Sequence, residues 1–396
     1  MDKIDELLER GVDNIYPSKT ALEKVLRSGK KLKLYQGFDP TGTQLHIGHM
    51  TGLMKLRQFQ NLGHQVIFLI GDGTGQAGDP SGKTKARERF LTKEELRTNA
   101  KDYVLQATKV VSFSGSNPAK ILYNSDWLNK LGLVEILTIA QNFSLQQLEE
   151  RDLFVERKKR GLPINMREFL YPLLQGYDSV AMNVDLELGG SDQTFNMLCG
   201  RTLVKNILGK EKFVMTTPLL TDSQGKKIGK TEGNVIALTS KATKLYGIIM
   251  SLSDDVIVKC FEFLTDIPLK QVKNISNYLN QGKNPMVYKK KLAFTLTEML
   301  NNKSEALKAE KEFEAVFEDR GVPTKIKTVK VKNKNLNIID LIIEAKLTSS
   351  KSEAKRLVKQ QAVKINNKKI TTIKNITIKN NDILKVGKRK WIKINC

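Results

Sequence analysis

The chain has 396 residues, a formal net charge of +24 and a hydrophobic fraction of 40%. This length predicts two or three domains with cores of their own, and no apolar run reaches the roughly 18 residues that a membrane-spanning helix needs. The acidic, amphipathic N-terminal segment is unlike a signal peptide, and Cys199, Cys260 and Cys396 have neither disulfide nor metal-site spacing. We therefore expect a cytoplasmic protein without a membrane partner.

Residues 1–30 are predicted to form short helices, and residues 31–220 alternate between strand and helix patterns. Such alternation predicts an α/β fold with a parallel sheet covered on both faces, a Rossmann-like doubly wound domain. The predicted strands are Leu32–Phe38, Gln65–Ile70, Ala119–Asn124, Val184–Leu188 and Phe213–Thr216. The predicted helices are His46–Leu62, Thr92–Val111, Met166–Gln175 and Asp192–Leu208.

Strand patterns fade after about residue 240, and the rest of the chain divides into a helical part, a linker and a small α+β part. We predict an α/β domain over residues 1–235, an α-helical domain over 236–320, a linker over 321–335 and an α+β domain over 336–396. The predicted helices of these later parts are Tyr246–Leu252, Val256–Leu264, Pro268–Leu279, Asn284–Leu300, Ser304–Phe317, Ile338–Ala345 and Ser349–Lys359.

The positive charge is concentrated at the end of the chain, where residues 325–396 hold 20 Lys and Arg against 4 Asp and Glu. A basic terminal domain is typical of proteins that bind a polyphosphate, most simply RNA or DNA. The alternative is a compositional bias towards Lys, Asn and Ile, which runs through the whole sequence. Charge alone therefore does not decide between the two.

Two of the three histidines lie in the segment His46–His49, at the predicted start of a helix that follows a strand. Unpaired N–H groups and the helix dipole favour an anion at such a position, and Gly48 lets a ligand approach the backbone. Imidazoles there can hydrogen-bond phosphate or ribose oxygens. The alternative, a helix start with two ordinary polar histidines, is disfavoured because the chain is so poor in histidine.

A second motif, Lys226–Thr231, follows a turn and places Lys227 and Lys230 around a glycine. Lysines on a mobile loop can wrap a polyphosphate and stabilise charge that develops in a transition state. Considered alone, this segment is better explained as a solvated basic loop. Its pairing with the histidine motif makes the phosphate-binding interpretation specific.

The paired motifs are the signature of class I aminoacyl-tRNA synthetases, and the whole sequence resembles the bacterial tyrosyl-tRNA synthetases. The matching blocks, in chain order, are Tyr35–Thr41 with Leu45–His49, Gly78–Lys83, Tyr171–Asp178, Leu188–Gln193 and Lys227–Thr231. The resemblance implies activation of tyrosine by ATP and transfer to the 3′ end of tRNA(Tyr), by a homodimer. Mg²⁺ is expected to travel with ATP rather than on protein ligands, because a hard cation prefers phosphate oxygens.

The resemblance also assigns residue roles by matching position. Thr41 and His46 are expected to contact the departing pyrophosphate, and His49 the ATP ribose. Lys83, Arg87, Lys227 and Lys230 are expected to close on the phosphates. The ATP site is expected to comprise Asp39, Gly48, Gly190, Asp192 and Lys230, where Asp39 and Asp192 hold the α-ammonium and ribose ends of the substrates.

For tyrosine, the resemblance implies that Tyr35 donates to the phenol oxygen and Asp178 accepts from it. Phenylalanine would leave both groups unpaired, and rejection of phenylalanine is an established property of the enzyme class that the sequence resembles. The amino and carboxyl groups are expected to meet Asp79, Tyr171, Gln175 and Gln193. The alternatives are capping or turn roles for Asp79 and Asp178 and ordinary helix positions for Tyr171 and Gln175. Positions that differ from common family members are Gln36, Gly52, Glu187 and Thr194.

The tail, from Ile338 to Asn366, resembles an S4-type RNA-binding domain. The resemblance implies that its helices present Lys351, Lys355, Arg356 and Lys359 to RNA phosphates. The alternative is a lysine-rich solvated surface. Trp127 and Trp391 are interpreted as core residues rather than as platforms for stacked bases.

Two rival functions remain. A tryptophan-specific relative with the same catalytic fold is disfavoured by Tyr35 and Asp178, because an indole offers no hydroxyl. A non-catalytic RNA-binding protein derived from a synthetase is disfavoured by the intact phosphate-site residues His46, His49, Lys227 and Lys230.

Overall fold

The computed structural model of the chain describes residues 2–42, 44–79, 90–150, 152–225, 227–228, 230–231, 234–317, 326–331, 333–345, 347–348, 350–366, 368–387 and 390–395. The chain forms two compact units, Met1–Ala306 and Leu307–Cys396. No helix in these ranges is both long enough and apolar enough to cross a bilayer.

The first unit is built on a six-stranded sheet with the strand order β1-β6-β5-β2-β3-β4. Its strands are β1 (Asn14–Tyr16), β2 (Lys33–Phe38), β3 (Gln65–Ile70), β4 (Lys120–Tyr123), β5 (Leu186–Gly190) and β6 (Phe213–Thr217). Strands β2 to β6 are parallel, which confirms the predicted parallel sheet. The chain leaves β2 towards β3 on one side and later adds β5 on the other. A ligand crevice is therefore expected at the carboxyl end of β2.

Helices cover the sheet and connect its strands. They are α1 (Lys3–Glu9), α2 (Lys19–Arg27), α3 (Ile47–Asn61), α4 (Thr74–Ala77), α5 (Lys93–Ala107), α6 (Ser125–Leu128), α7 (Leu133–Ala140), α8 (Leu145–Glu149), α9 (Asp152–Lys159), α10 (Met166–Ala181) and α11 (Thr194–Leu208). Helix α10 runs well beyond its predicted end at Gln175. It packs closely on α11 because Gly176 has no side chain: a Cβ there would lie 3.0 Å from the backbone nitrogen of Gly200.

The later part of the first unit is helical, as predicted. A short ribbon of β7 (Lys230–Thr231) and β8 (Asn234–Val235) precedes α12 (Ala242–Met250), α13 (Ile257–Leu264), α14 (Leu269–Asn280) and α15 (Pro285–Leu300). Helix α16 (Lys303–Phe317) begins in the first unit and continues into the second, which starts at Leu307. The buried guanidinium of Arg10 donates to the carbonyl oxygens of Phe261, Glu262, Thr265 and Ile267. These bonds satisfy carbonyl groups at and beyond the end of α13, because the last carbonyl groups of a helix have no intrahelical N–H donor. They also join α13 to the N-terminal segment.

The second unit is a small α+β fold. After the larger part of α16, its elements are β9 (Lys327–Lys330), β10 (Asn335–Asn337), α17 (Ile338–Glu344), α18 (Lys351–Lys359), β11 (Val363–Ile365), β12 (Lys368–Lys369), β13 (Asn375–Thr377), β14 (Ile383–Val386) and β15 (Lys390–Asn395). Residues 327–330 were predicted to lie in a linker, and that prediction is wrong. They form β9, which pairs in parallel with β15 while Val329 packs against the core of this unit.

Lys55 on α3 is buried, and its Nζ donates to the carbonyl oxygens of Leu7 (2.7 Å) and Arg10 (2.5 Å) at the end of α1. Burial, together with the nearby Arg10 guanidinium, lowers the pKa of Lys55 to about 7. In the unfolded chain this lysine has its ordinary pKa of 10.5. Between these two values the unfolded state binds more protons, so Lys55 makes stability increase as the pH rises through this window.

We therefore expect the unfolding free energy of the protein to rise between pH 7 and pH 9 by about 2 kcal/mol more than that of a Lys55→Met variant. Denaturant unfolding of both proteins at the two pH values measures this difference. Identical pH dependence in the two proteins would contradict a buried, proton-losing lysine.

Candidate active site

The two motif histidines cap the start of α3. The N–H of Gly48 donates to His46 Nδ1 (3.1 Å), and the N–H of His46 donates to His49 Nδ1 (3.1 Å). The rings stack with their centroids 3.9 Å apart. Because each Nδ1 accepts a hydrogen bond, a neutral ring carries its proton on Nε2, where it is a donor. This end of the helix therefore offers both the dipole and imidazole N–H groups that suit an anion.

The backbone next to the second motif is joined to the histidine motif. The N–H of Ile47 donates to the carbonyl oxygen of Ile236 (3.0 Å), and the N–H of Leu238 donates to that of Leu45 (3.1 Å). The segment that leaves β8 is thus fixed beside the start of α3. The two motifs, nearly 200 residues apart in sequence, meet at one place in the fold.

A cavity of about 590 Å³ opens at the carboxyl ends of β2 and β5. The cavity is lined by nearly all of the predicted substrate-site residues that the structure describes: Tyr35, Asp39, Thr41, His46, Gly48, His49, Asp79, Tyr171, Gln175, Asp178, Gly190, Asp192, Gln193 and Lys227. Lys83 and Arg87 lie outside the described residues, and Lys230 is described only through its backbone in β7. The structure therefore brings the predicted blocks together around one cavity.

At one end of the cavity, Tyr35 and Asp178 are buried. The Tyr35 hydroxyl lies 2.9 Å from Ser179 Oγ, a partner that the sequence did not indicate. Asp178 accepts from Trp127 Nε1 (2.8 Å) and from Asn124 Nδ2 (3.0 Å). Burial raises the pKa of Asp178 well above its ordinary value, and these two donors oppose that rise. Trp127 was predicted to be a core residue; it is half-buried and its indole N–H orients the carboxyl group.

Asp39 and Tyr171 form a second polar group in the cavity. Asp39 accepts from Thr74 Oγ1 (2.7 Å) and from the Tyr171 hydroxyl (2.9 Å). Gly71 makes room for this carboxylate, since a Cβ there would lie 1.9 Å from Asp39 Oδ1. Burial and the carboxylates of Asp39 and Asp79 raise the pKa of Tyr171, so its hydroxyl stays protonated and donates.

A chain of amide side chains crosses the wall of the cavity between two carboxylates. Gln175 Nε2 donates to Glu187 (3.0 Å), and Gln193 Nε2 donates to Asp79 (3.0 Å). Asn196 Nδ2 lies between the two glutamines and donates to the Oε1 of each (2.9 Å). Sequence reasoning missed Asn196 and Ser179, and it also missed Lys212, which pairs with Glu187. The only sequence signal for this group of residues was Glu187, which differs from the residue found in common family members.

Lys227 and Asp192 form an ion pair of 2.9 Å at the open side of the cavity. Both side chains are partly exposed, so the pair is screened by solvent and is easily exchanged for a ligand. Gln36 and Gly52, two further departures, are linked. A Cβ on Gly52 would lie 2.4 Å from Gln36 Oε1, so the longer side chain at one position fills the space left at the other.

In the second unit, Lys351, Lys355, Arg356 and Lys359 lie on the exposed face of α18, while Ala354 and Val358 are buried. Lys351 Nζ is 2.9 Å from Asp340 Oδ1. The structure thus places the four predicted cations on one solvent-facing side of a helix.

The sequence matches known families over nearly its whole length. A family described as tRNA synthetases class I (W and Y) matches residues 27–318, and the tyrosine–tRNA ligase SYY-like C-terminal domain matches residues 312–393. Tyrosine–tRNA ligases of Dehalococcoides mccartyi and Thermotoga maritima are 39% and 38% identical to the chain, over 99% and 98% of its length. These alignments cover 98% and 96% of the two relatives.

Solved structures agree with this assignment. A C-terminally truncated mitochondrial tyrosyl-tRNA synthetase of Aspergillus nidulans has a TM-score of 0.67 and 26% identity, covering 80% of this chain and 94% of that one. The predicted fold class, enzyme class and family are confirmed. With its two motifs joined at one cavity, the chain belongs to the tyrosine–tRNA ligase family of class I aminoacyl-tRNA synthetases.

Proposed function

We propose that this protein converts L-tyrosine and ATP to tyrosyl-adenylate and pyrophosphate, and then transfers the tyrosyl group to the 3′ end of tRNA(Tyr). One observation carries the proposal: a single cavity joins the buried Tyr35 and Asp178 to the anion-binding start of α3. A substrate that spans it has its hydroxyl at one end and its carboxylate near the nucleotide. This is the arrangement that in-line attack on the α-phosphorus needs.

In the tyrosine half, the phenol hydroxyl donates to Asp178 and contacts the Tyr35 hydroxyl. The α-ammonium group donates to Asp79, Gln175 and the Tyr171 oxygen, which already gives its own proton to Asp39. Gln193 supports Asp79 through its amide. The substrate carboxylate then stays free to attack, and no protein base is needed.

In the ATP half, a carboxylate oxygen of tyrosine forms the new bond to the α-phosphorus, and the bond to the pyrophosphate oxygen breaks. Negative charge grows on the departing group, where Thr41 and the Nε2–H group of His46 stabilise it, while the Nε2–H group of His49 faces the ribose. Gly48 and Gly190 let the nucleotide approach the backbone, and Asp192 binds the ribose once Lys227 has left it for the phosphates. Lys83, Arg87 and Lys230 are proposed to bind the phosphates because they match the family's phosphate-binding positions. Mg²⁺ would enter the site bound to ATP.

Amino-acid-dependent exchange of pyrophosphate into ATP tests the reaction, with each of the twenty amino acids in turn. Exchange with tyrosine alone is the expected result. Exchange with tryptophan would overturn the roles of Tyr35 and Asp178. Absence of exchange with every amino acid, in a folded protein, would favour a non-catalytic RNA-binding function.

Asp178→Asn should weaken the preference for tyrosine over phenylalanine. The amide replaces an acceptor oxygen by a donor, which faces Trp127 Nε1 or Asn124 Nδ2 unfavourably and serves the phenol less well. We expect kcat/KM for tyrosine in the exchange assay to fall by about 10- to 100-fold. The value for phenylalanine should change by less than about threefold, because its ring has no hydroxyl to pair. Equal losses for both amino acids would contradict a hydroxyl-recognising Asp178.

The other partners are also proposals. The tail is proposed to bind RNA phosphates through Lys351, Lys355, Arg356 and Lys359, with residues 236–320 contacting the anticodon arm of tRNA(Tyr).

A homodimer is supported by an apolar surface where α7 packs beside α10. Leu133, Val134, Leu137, Met166 and Leu170 on this surface are between 40% and 72% exposed, which is typical of an interaction site. Cys199 and Cys260 are buried, and neither forms a disulfide within the part of the chain that the structure describes, which fits a reducing cytoplasm.

Val134→Lys combined with Leu137→Lys should convert a dimer to a monomer, because two charges would be buried unpaired at the interface. Light scattering coupled to size-exclusion chromatography measures the mass directly. A dimer of unchanged stability would show that this apolar surface is not the contact.

A further inference from the structure

Glu187 and Lys212 form an ion pair in the interior, where their side chains are 2% and 0% exposed. Glu187 lies in β5, Lys212 immediately precedes β6, and Lys212 Nζ also donates to Ser179 Oγ (2.7 Å). Gly200 on α11 provides the space, since a Cβ there would lie 2.5 Å from Lys212 Nζ. Buried pairs of this kind are often no more stabilising than apolar residues of the same volume. A contribution to folding stability is therefore a weak explanation for the presence of this buried ion pair.

The pair fixes the direction of a hydrogen-bond chain. As a carboxylate beside an ammonium group, Glu187 only accepts. Gln175 therefore has to turn its NH₂ group towards Glu187, at 3.0 Å. Its Oε1 then has to face the other way. At the far end, Gln193 likewise has to turn its NH₂ group towards the Asp79 carboxylate.

Asn196 in the middle agrees with both ends. Its Nδ2 donates to Gln175 Oε1 and to Gln193 Oε1, each at 2.9 Å. Its own Oδ1 is buried and has no hydrogen-bond partner within the described residues. A reversed amide would place this oxygen against two other carbonyl oxygens. The two glutamines, themselves directed by carboxylates, thus hold Asn196 in an orientation that leaves one of its atoms unpaired.

We propose that Glu187 and Lys212 are positioning residues that select for the α-ammonium group of the amino-acid substrate. They set Gln175 with its oxygen available as an acceptor, in the same cavity wall as the Asp79 carboxylate. An ammonium group brings only donors, so it matches a wall of acceptors, whereas a reversed Gln175 amide would repel it. This inference depends on the proposed function, because it names what gives that site its ammonium selectivity.

Binding of two ligands to the full-length protein tests the proposal by calorimetry. The first is L-tyrosine and the second is 3-(4-hydroxyphenyl)propanoate, which is tyrosine without its amino group. The double variant Glu187→Gln/Lys212→Met removes both charges at similar volume and leaves an amide at 187 that can donate or accept. We expect its Kd for tyrosine to rise about tenfold or more, while the Kd for the desamino ligand stays within about twofold.

Lys210→Met is the matched control, because this partly exposed lysine lies two residues away, pairs with Asp185 rather than Glu187, and should leave both Kd values unchanged. If the double variant does not fold, the nearly isosteric Asn196→Asp tests the same chain. An acceptor in place of the central NH₂ group should produce the same selective loss. Equal weakening of both ligands, or no change in either, would overturn the proposal.

The outcomes also separate this proposal from the proposed function. If the unmodified protein binds tyrosine no more tightly than the desamino ligand, the positioning role is wrong, whatever the exchange assay shows. If it prefers tyrosine but exchanges pyrophosphate with no amino acid, only the proposed function is wrong.

Discussion

His46→Ala should slow tyrosine-dependent pyrophosphate exchange by about 10²- to 10³-fold while changing the Kd for tyrosine by less than about twofold. His46 caps α3 through Nδ1, so its remaining ring nitrogen is the donor that can meet phosphate oxygens. That contact strengthens as charge moves onto the departing pyrophosphate. A loss of this kind lowers kcat and leaves ground-state binding of tyrosine nearly intact.

His46→Asn separates catalysis from capping. Asparagine is a good N-cap and can accept from the N–H of Gly48 as His46 does, but it lacks the Nε2–H donor. We expect this variant to be about as slow as His46→Ala in single-turnover adenylation. Recovery of most of the rate would mean that His46 acts by ordering α3. A fall in tyrosine affinity as large as the fall in rate would contradict a transition-state role.

The parallel sheet was predictable because its strands carry a local pattern. Residues Val66–Ile70 of β3 are a continuous apolar run, buried throughout, which is typical of strands covered on both faces. Strand β1 is only three residues long and pairs with β6, some 200 residues away, so no local pattern contains it. Helix α7 was missed because its sequence is apolar nearly all round, although only Ile139 is buried.

The candidate site divides in the same way. Tyr171, Gln175 and Asp178 were predicted to act together, and their spacing of four and three residues places them on one face of α10. No sequence pattern marks Lys212 in this way, because a single lysine before an apolar strand is normally predicted to lie on the surface. Lys212 is buried because Gly200 on α11 leaves space for its side chain and Glu187 on β5 pairs with its ammonium group. Neither residue is a close neighbour of Lys212 in the sequence. Non-local packing decides such a residue, and one sequence does not display it.

A protein that ends at residue 317 should exchange pyrophosphate at close to the full-length rate but charge tRNA(Tyr) at least about 10²-fold more slowly at low tRNA concentration. All of the described residues that line the cavity precede Ala306, within the first compact unit. The removed part carries most of the net positive charge, with 20 Lys and Arg against 4 Asp and Glu over residues 325–396. Both rates are measured on the same preparations, exchange with tyrosine and charging with radiolabelled tyrosine.

A charge-matched pair of full-length variants shows whether the cations of α18 cause this loss. Lys355→Gln/Arg356→Gln should weaken tRNA binding and make its dependence on salt less steep, by between one and two units in the log–log slope. Lys3→Gln/Lys24→Gln removes the same charge from exposed positions in the first unit and should leave the slope unchanged. If both pairs weaken binding equally, the effect is one of net charge, and α18 is a solvated basic surface. If the truncated protein charges tRNA normally, the tail has no role in this reaction.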